Sequence, residues 1–343
     1  MSVNGNLSRA ALRARLTRFP RARLAHLPTP LEEMPRLARM LGGPRLLIKR
    51  EDATGLAFGG NKARHYEYEL PHVRDEGYDV LINVMDYHSN NARMTAAAAN
   101  RFEIPYVLVL KNAKGRPVQG NLLIDKLLGA EMHLLDEAQS TDAQGYARGL
   151  AAQLEAQGRK PYLLQDHEFP TLVGMIGFVG GGLELLDQLE ERGIDRAHVF
   201  GVMGRSLCGL LLTAKNLGLD WRFTGVTVNH EVDLDEYVFK NSSRIQELLD
   251  LPVSFSRDDV TVLDQYVGEG YGIPTPEVIE AVNLTARREA VMLDPNYTGT
   301  VMAALIDQVR KGDVAGDVPV VFLHTGGLPA IFTFAEELAA WSD

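Results

Sequence analysis

The sequence predicts an α/β protein in which mostly parallel sheets carry helices on both faces. Two observations support this fold class: short runs rich in Val, Ile and Leu have the length of buried strands, and segments with helical periodicity lie between them. Strands that alternate with helices favour parallel pairing, because a parallel connection has to cross over the sheet. The length of 343 residues is that of two domains or of one elaborate domain.

The individual elements follow from these two patterns. The apolar runs predict buried strands at residues 79–84, 105–110, 161–165, 198–203, 223–228 and 319–324. The periodic segments predict helices at residues 92–101, 120–128, 143–157 and 210–217. No repeat or long linker interrupts them, so a division into two domains has to be made by chain crossings. Ligands of such sheets bind beyond the carboxyl ends of the strands, where loops lead into helix N-termini.

The first thirty residues are basic, with six arginines and no acidic residue before Glu32. An organelle transit peptide has this composition. We favour a short basic helix followed by an extended arm, because the pattern runs directly into structured sequence at Pro28-Thr29-Pro30.

The composition excludes several classes of protein. Thirty-five Lys and Arg residues against 45 Asp and Glu residues argue against a broad nucleic-acid-binding face. Cys208 is the single cysteine, so neither an intramolecular disulfide nor a cysteine-based zinc site is possible, and we expect a reducing, cytoplasmic location. No run of 18 apolar residues predicts a membrane span, and no pair of histidines has metalloprotease spacing.

Several common catalytic motifs are incomplete. No G-x-G-x-x-G is present, which argues against a dinucleotide fingerprint. Residues 55–60 have the spacing of a nucleotide phosphate loop, but Asn61-Lys62 follows where Gly-Lys-Ser/Thr is required. Ser206 follows a predicted strand, yet the glycine two positions later that a nucleophile elbow needs is missing.

Three polar loops remain as candidates. Residues 59–62 (Gly-Gly-Asn-Lys) present a lysine beside two glycines that permit close backbone approach to a ligand. Residues 88–93 and 324–327 each follow a predicted strand and supply hydroxyl, amide and backbone donors. Ordinary alternatives are a solvated lysine, a helix N-cap and a glycine turn. If the sheets form as predicted, we expect the three loops to converge on one cleft.

Seven ordered motifs resemble one known family, the D-cysteine desulfhydrase and 1-aminocyclopropane-1-carboxylate deaminase family. They are Leu27-Pro28-Thr29-Pro30-Leu31-Glu32, Lys49-Arg50-Glu51-Asp52, Gly59-Gly60-Asn61-Lys62, Ser89-Asn90, Gly270-Tyr271-Gly272-Ile273-Pro274, Leu293-Asp294-Pro295 with Tyr297-Thr298-Gly299, and His324-Thr325-Gly326-Gly327. The resemblance runs from about residue 20 to the C-terminus. It implies pyridoxal 5'-phosphate as cofactor and the tryptophan synthase β-like fold, fold type II, with two open twisted sheets. The expected large cofactor-binding domain comprises residues 1–65 and 186–343, and the small domain comprises residues 66–185.

The resemblance also assigns roles to individual residues. Lys62 resembles the lysine that joins the cofactor covalently and later moves the Cα proton. Asn90 resembles the asparagine that bonds the ring hydroxyl oxygen, and Ser89 the serine that holds or deprotonates the substrate. Tyr271 and Tyr297 resemble the paired active-site tyrosines.

Two threonines match positions near the pyridine nitrogen in the family, Thr298 and Thr325. The cyclopropane deaminases resemble one another in having a glutamate at the first position, which keeps the ring nitrogen protonated. A neutral threonine suits β-elimination, because loss of the leaving group relieves the carbanion at once. Thr298 therefore argues against ring-opening deamination.

The chain departs from the family at two places. Where a Gly-Ser-Gly-Gly-Thr run normally cradles the phosphate, residues 202–206 read Val-Met-Gly-Arg-Ser, so Ser206 and a charged Arg205 have to replace some backbone amides. The expected cofactor-binding run is Gly204, Arg205, Ser206, Leu207, Cys208 and Gly209. Asn91 and His88 replace a histidine and a glutamine of the expected substrate loop, which suggests a substrate other than the standard one.

The resemblance implies a pyridoxal-phosphate-dependent lyase that performs β-elimination on a small β-substituted amino acid, as D-cysteine desulfhydrase does, giving a 2-oxo acid and ammonia. Alternatives within the family are cyclopropane deamination, cysteate or diaminopropionate cleavage, and β-replacement. The altered phosphate loop also leaves a non-catalytic homologue open. We expect a homodimer without a metal, and without nucleic-acid or membrane partners.

Overall fold

The computed structural model describes residues 6–230 and 232–341, with the side chains of residues 235 and 236 left out. Its strands are β1 (Leu31–Glu33), β2 (Leu46–Arg50), β3 (Val80–Asp86), β4 (Tyr106–Lys111), β5 (Glu131–Leu134), β6 (Pro161–Leu163), β7 (Arg196–Val202), β8 (Asp220–Val226), β9 (Thr261–Leu263) and β10 (Val320–His324). The α-helices are α1 (Arg9–Leu16), α2 (Pro35–Leu41), α3 (Lys62–Asp75), α4 (Asn90–Arg101), α5 (Gly120–Leu127), α6 (Glu137–Ser140), α7 (Ala143–Ala156), α8 (Phe169–Glu190), α9 (Arg205–Leu217), α10 (Ser242–Leu249), α11 (Pro276–Glu289), α12 (Thr298–Lys311) and α13 (Ala335–Ala339).

The strands form two sheets, and the predicted fold class is confirmed. The six-stranded sheet has the order β1-β2-β10-β7-β8-β9 and is parallel except for the antiparallel edge strand β1. The four-stranded sheet has the order β5-β4-β3-β6 and is parallel throughout. All six predicted strands and all four predicted helices are present, with ends that move by a few residues.

Helices cover both faces of each sheet because side chains of a buried parallel strand alternate between two cores. Along β10, Val321 and Leu323 face the cluster built on α8 and α9, and Phe322 faces the cluster built on α11 and α12. Along β3, Leu81 packs with α3 and α4, and Ile82 packs with α7. Each strand therefore holds two layers of helices in place.

The proposed domain division remains a prediction. The four-stranded sheet lies wholly within residues 66–185, and the six-stranded sheet is built from segments on either side of that range. Both predicted boundaries fall inside helices, α3 and α8, that pack against each other.

The N-terminal helix predicted from the arginine pattern is present as α1. Ser8 caps it, and Arg9 and Arg13 form ion pairs with Asp187 of α8. Helix α8 itself is long and apolar enough to cross a membrane by length and composition alone. However, 78% of its most apolar window is buried inside the protein, as expected of a core helix.

Candidate active site

A cavity of about 640 Å³ lies where the carboxyl ends of the two sheets face each other. Its wall consists of residues at or beyond the ends of β3, β4, β6, β7, β8 and β10, of residues at the start of α3 and at the junction of α6 and α7, and of three tyrosines, Tyr237, Tyr271 and Tyr297. Of the predicted site residues, the wall contains Lys62, Ser89, Asn90, Asn91, Gly204, Arg205, Ser206, Tyr271, Tyr297 and Thr325. The three polar loops are therefore brought to one cavity.

The loop before Lys62 depends on glycine. Gly59 has a φ of 70°, and a Cβ there would lie 1.7 Å from the carbonyl oxygen of Asp52. The adjacent loop after β10 packs as closely, since a Cβ on Gly326 would lie 2.7 Å from the Cα of Gly60. The backbone N–H of Asn61 donates to the carbonyl oxygen of Thr325 at 3.0 Å. Two loops from distant parts of the chain are thus locked together at the start of α3.

Lys62 enters the cavity as the first residue of α3. Burial lowers the pKa of its amine well below the usual value, and the nearby Arg205 guanidinium lowers it further. A neutral amine is the nucleophilic form of lysine. The position therefore favours covalent chemistry with an aldehyde.

A buried ion network anchors the first turn of α3. Arg64 donates to both carboxylate oxygens of Glu51, at 2.7 and 2.8 Å, and to Glu184 of α8 at 2.9 Å. Lys49 donates to the same Glu184 oxygen at 2.5 Å. Each buried charge faces an opposite one, which is the condition for tolerating such groups in a core. The network joins β2, α3 and α8 directly behind Lys62.

Ser89 is the N-cap of α4, and its Oγ accepts from the backbone N–H groups of Asn91 and Ala92 at 3.1 and 3.4 Å. The ordinary N-cap interpretation is thus correct for this serine, which nevertheless lines the cavity. Asn91, in the first turn of α4, lies on the same wall, and its side-chain oxygen accepts from Tyr66 at 3.0 Å. The Ser89 hydroxyl and Asn91 Nδ2 donate to the weak acceptor Met85 Sδ, at 3.2 and 3.5 Å, so both can turn to a carboxylate at this helix N-terminus.

The amide of Asn90 is held in one orientation by two neighbours. Its Oδ1 accepts from Asn121 Nδ2 at 2.9 Å, and its Nδ2 donates to Asp294 Oδ2 at 3.3 Å. Asn121 is fixed in turn by Arg93, which donates to its Oδ1 at 2.9 Å. Because Nδ2 carries a second hydrogen, Asn90 presents a donor to the cavity.

Tyr271 and Tyr297 share a hydrogen bond of 2.6 Å between their hydroxyl oxygens. Burial raises the pKa of both phenols above the usual value, so both are neutral at physiological pH. Both rings line the cavity. The pair can therefore deliver a proton to a group that leaves from the space in front of it.

His88 is buried behind this pair and does not line the cavity within the described chain. Its ring stacks on Tyr271 with centroids 4.9 Å apart and an interplanar angle of 24°. Burial lowers the pKa of its imidazole, so the ring is neutral. The predicted direct contact of His88 with substrate is thus not what the geometry favours, since the ring supports Tyr271 instead.

Thr298 also faces away from the cavity. Its hydroxyl donates to Asp294 Oδ1 at 3.0 Å and accepts from the Asp294 backbone N–H at 2.9 Å. Burial raises the pKa of Asp294 to about 6, against the opposing effect of hydrogen bonds from Thr298, Tyr297 and Asn90. Of the two predicted threonines, Thr325 is the one that reaches the cavity wall.

The expected phosphate end is formed by Gly204 and the start of α9. A Cβ on Gly204 would meet nothing within 4 Å, so this side of the loop is open to the cavity. Ser206 Oγ accepts from Asn61 Nδ2 at 2.9 Å. Arg205 donates from Nη1 to the carbonyl oxygen of Pro170 at 2.6 Å, and its Nε is buried without a hydrogen-bond partner in the described structure. An unsatisfied buried donor at a helix N-terminus favours an anion.

The rest of the expected cofactor-binding run belongs to the body of the helix. Leu207 and Cys208 are buried in the core, and the Cys208 backbone N–H donates to the carbonyl oxygen of Gly204 at 3.1 Å. A Cβ on Gly209 would lie 2.5 Å from the carbonyl oxygen of Met175, so this glycine permits close packing of α9 on α8. These three residues do not line the cavity in the described structure, and their part in holding the cofactor remains a prediction.

Sequence reasoning missed four residues around the cavity. Asp86 and Lys111 line its wall at the ends of β3 and β4, and Asp294 orients Asn90. His65 lies one turn along α3 from Lys62, with its Nε2 3.5 Å from Ser206 Oγ. Helical spacing from Lys62 was the one available signal for His65. Asp294 lies in one of the motifs that resemble the family, but the motif assigned it no role.

The described residues fit a phosphorylated aldehyde. Lys62 offers a neutral amine, and Arg205 offers an unsatisfied charged donor close enough to lower the lysine pKa. An anion beside Arg205 would neutralise the guanidinium charge and accept from its unsatisfied Nε–H donor. Asn90 and Thr325 complete the wall with polar groups.

Comparison with known proteins shows the family to which the chain belongs. Residues 22–326 match the family described as pyridoxal-phosphate dependent enzyme. The chain is 37% identical over 326 residues to D-cysteine desulfhydrase of Salmonella typhi, covering 93% of this chain and 97% of that one. The same values hold for D-cysteine desulfhydrase of Salmonella newport (strain SL254).

Two solved structures have a similar fold. A structure described as an ACC deaminase homologue superposes with a TM-score of 0.86 at 32% identity, covering 97% of this chain and 99% of that one. Threonine deaminase isoform 2 of Solanum lycopersicum superposes with a TM-score of 0.66 at 16% identity, covering 98% and 96% of the two chains. The second likeness concerns the fold alone.

Proposed function

The chain belongs to the family of pyridoxal-phosphate-dependent enzymes, and we propose that it is a lyase that eliminates the β-substituent of a small amino acid. One observation carries this proposal. The amine of Lys62, whose pKa is held low by burial, shares a cavity with the paired hydroxyls of Tyr271 and Tyr297. A base and a proton donor facing one space are what β-elimination requires.

The residues that would hold the cofactor follow from the cavity wall. Lys62 would bind its aldehyde, Arg205 and Ser206 its phosphate, Asn90 its ring hydroxyl and Thr325 its ring nitrogen. When bound, pyridoxal phosphate supplies an electron sink that acidifies the Cα–H bond of an attached amino acid.

The substrate carboxylate would lie at the N-terminus of α4, where the Ser89 hydroxyl and Asn91 Nδ2 are donors that have Met85 Sδ as a weak acceptor. Lys62 would then take the Cα proton, and the tyrosine pair would protonate the departing group. The unsaturated amine that is released reacts with water to give a 2-oxo acid and ammonium.

Thr298 favours elimination over ring-opening deamination. Its side chain is neutral, and the hydroxyl is already engaged by Asp294. Residue 298 therefore supplies no carboxylate to keep a ring nitrogen protonated, and rapid loss of a leaving group is the chemistry that needs least help from the ring. The relatives named D-cysteine desulfhydrase support the same choice.

The test combines cofactor and product measurements. We expect purified protein to show visible cofactor absorbance that borohydride bleaches, and Lys62→Ala to lose it. Lys311→Ala, on an exposed surface, is the matched control. D- and L-forms of cysteine and β-chloroalanine are then assayed for 2-oxo acid and ammonia together. Protein that takes up no cofactor, or loaded protein that cleaves none of the four compounds, contradicts the proposal.

A homodimer in the cytoplasm is the further expectation. The resemblance to the family supports the dimer, and a single buried cysteine supports a reducing compartment. Sedimentation of the loaded enzyme tests the first point.

A further inference from the structure

Two oppositely charged residues lie on the cavity wall outside the machinery described so far. Asp86 ends β3 and Lys111 ends β4, and the two are paired directly across the parallel strands. Lys111 Nζ lies 3.1 Å from Asp86 Oδ2. Both side chains line the cavity and remain 17% and 32% exposed, so a ligand can reach them.

The pair lies next to the reacting region. Asp86 is three residues before the helix cap Ser89, whose backbone N–H donates to the Asp86 carbonyl oxygen at 3.0 Å. Burial is the main cause that raises the pKa of Tyr271 and Tyr297, and the Asp86 carboxylate adds to the effect in both phenols. The charged pair is therefore on the side of the cavity where the tyrosines meet the leaving group.

The cavity continues past this pair with more polar groups. Ser140 and Thr141, at the junction of α6 and α7, line the same wall. The Asn91 side-chain nitrogen, facing the same space, has only the weak acceptor Met85 Sδ at 3.5 Å in the described structure. A thiol or chloride leaving group carries no pair of opposite charges that could oppose Asp86 and Lys111 together.

Electrostatics determines which substituent gains most from such a pair. A group with one charge is attracted by one member and repelled by the other, 3.1 Å away. A group with both charges can oppose each member with its counter-ion and gain from both.

We propose that Asp86 and Lys111 select a β-substituent that carries both an ammonium and a carboxylate, so that the substrate is a thioether joining two amino-acid units. This inference rests on the proposed function and deepens it. Asp86 binds the ammonium and Lys111 the carboxylate of the distal unit. Lys62 and the tyrosine pair act on the proximal unit.

The reaction balances without an oxidant or reductant. The Cα–H bond breaks and its proton passes to Lys62, while the Cβ–S bond breaks and its electron pair stays on sulfur. Sulfur gains one proton from the tyrosine pair. Lys62 then passes the proton that it took from Cα to the tyrosine pair. The released 2-aminoacrylate takes up one water. The products are one dipolar thiol, one 2-oxo acid and one ammonium ion.

The experiment uses cofactor-loaded enzyme and four thioethers in D- and L-forms. Lanthionine has both distal charges, S-(2-aminoethyl)cysteine has the cation, S-carboxymethylcysteine has the anion and S-propylcysteine has neither. We expect kcat/KM for lanthionine to exceed that for S-propylcysteine by about tenfold or more, since bonds to charged groups have that size. The singly charged compounds should fall between them.

Two variants test the assignment. Asp86→Asn and Lys111→Met should each lower the lanthionine to S-propylcysteine ratio about tenfold. The control is Lys114→Met, because Lys114 forms an ion pair with Asp136 at the same 3.1 Å but outside the cavity wall. If a single variant unfolds, the exchanged pair Asp86→Lys with Lys111→Asp keeps the charges together and should retain discrimination.

Three outcomes would overturn the inference. Equal kcat/KM for the four thioethers, with β-chloroalanine still cleaved, removes the inference and leaves the proposed function standing. An unchanged ratio in both variants shows that other residues discriminate. If loaded enzyme cleaves neither β-chloroalanine nor any thioether, the proposed function and the inference are both wrong.

Discussion

Replacing Glu184 by glutamine should destabilise the protein in a manner that depends on pH. The carboxylate of Glu184 lies behind the Lys62 loop, where it accepts from Arg64 at 2.9 Å, from Lys49 at 2.5 Å and from the Thr29 backbone at 2.8 Å. Its side chain is 14% exposed. Glutamine keeps the size of the side chain and removes the charge.

The magnitude follows from the carboxyl pKa. Burial alone would raise the pKa of Glu184, but the cations of Arg64 and Lys49 outweigh it and lower the pKa from 4.5 to about 2. At about 1.4 kcal/mol for each pKa unit, the ionised form stabilises the fold by about 3 kcal/mol. Because the folded pKa is the lower one, this stability is complete above the unfolded pKa and is lost as pH falls toward the folded pKa.

Urea unfolding of cofactor-loaded enzyme and of Glu184→Gln at several pH values measures the effect. The difference in unfolding free energy should shrink by about 2 kcal/mol between about pH 5 and about pH 3. Glu280→Gln is the control, since Glu280 pairs with Arg310 on the surface and should change stability by less than about 1 kcal/mol. A difference for Glu184→Gln that does not vary with pH would refute the reasoning.

Two further outcomes concern the site itself. Gly59→Ala should lower the cofactor content of purified protein about tenfold or more, because the new Cβ would lie 1.7 Å from the Asp52 carbonyl oxygen. The control is Gly42→Ala, which should retain cofactor: Gly42 has a similar φ of 62°, but its new Cβ would meet no atom within 4 Å. The absorbance of each variant after removal of free cofactor measures its cofactor content. Equal loss of cofactor in the two variants would show that the backbone φ, and not the contact with Asp52, causes the loss. Tyr297→Phe should lower kcat for elimination about a hundredfold with cofactor absorbance intact. The control is Tyr266→Phe, which should leave kcat unchanged, because the Tyr266 hydroxyl donates to Asp307 away from the cavity. An unchanged kcat in Tyr297→Phe would contradict a proton-donor role.

The strands that the sequence predicted share one property: each lies in a run of five or six mostly apolar residues. The missed strands do not have it. Strands β1, β5 and β9 are short or carry polar residues, and β2 reads Leu-Leu-Ile-Lys-Arg. The Lys49 in β2 is nevertheless 1% exposed, because Glu184, 135 residues away, neutralises it. No local pattern contains that partner.

The positions of six strands and four helices along the chain, and of the polar loops that follow the strands, were readable from the sequence by itself, because periodicity and motif spacing are local. Tertiary structure decided which side chains of those loops face the cavity. Thr298 bonds to Asp294 and His88 packs behind Tyr271, while Asp86 and Lys111 line the wall. Such orientations depend on hydrogen bonds and packing between segments far apart in the chain, and these form only when the sheets bring the segments together.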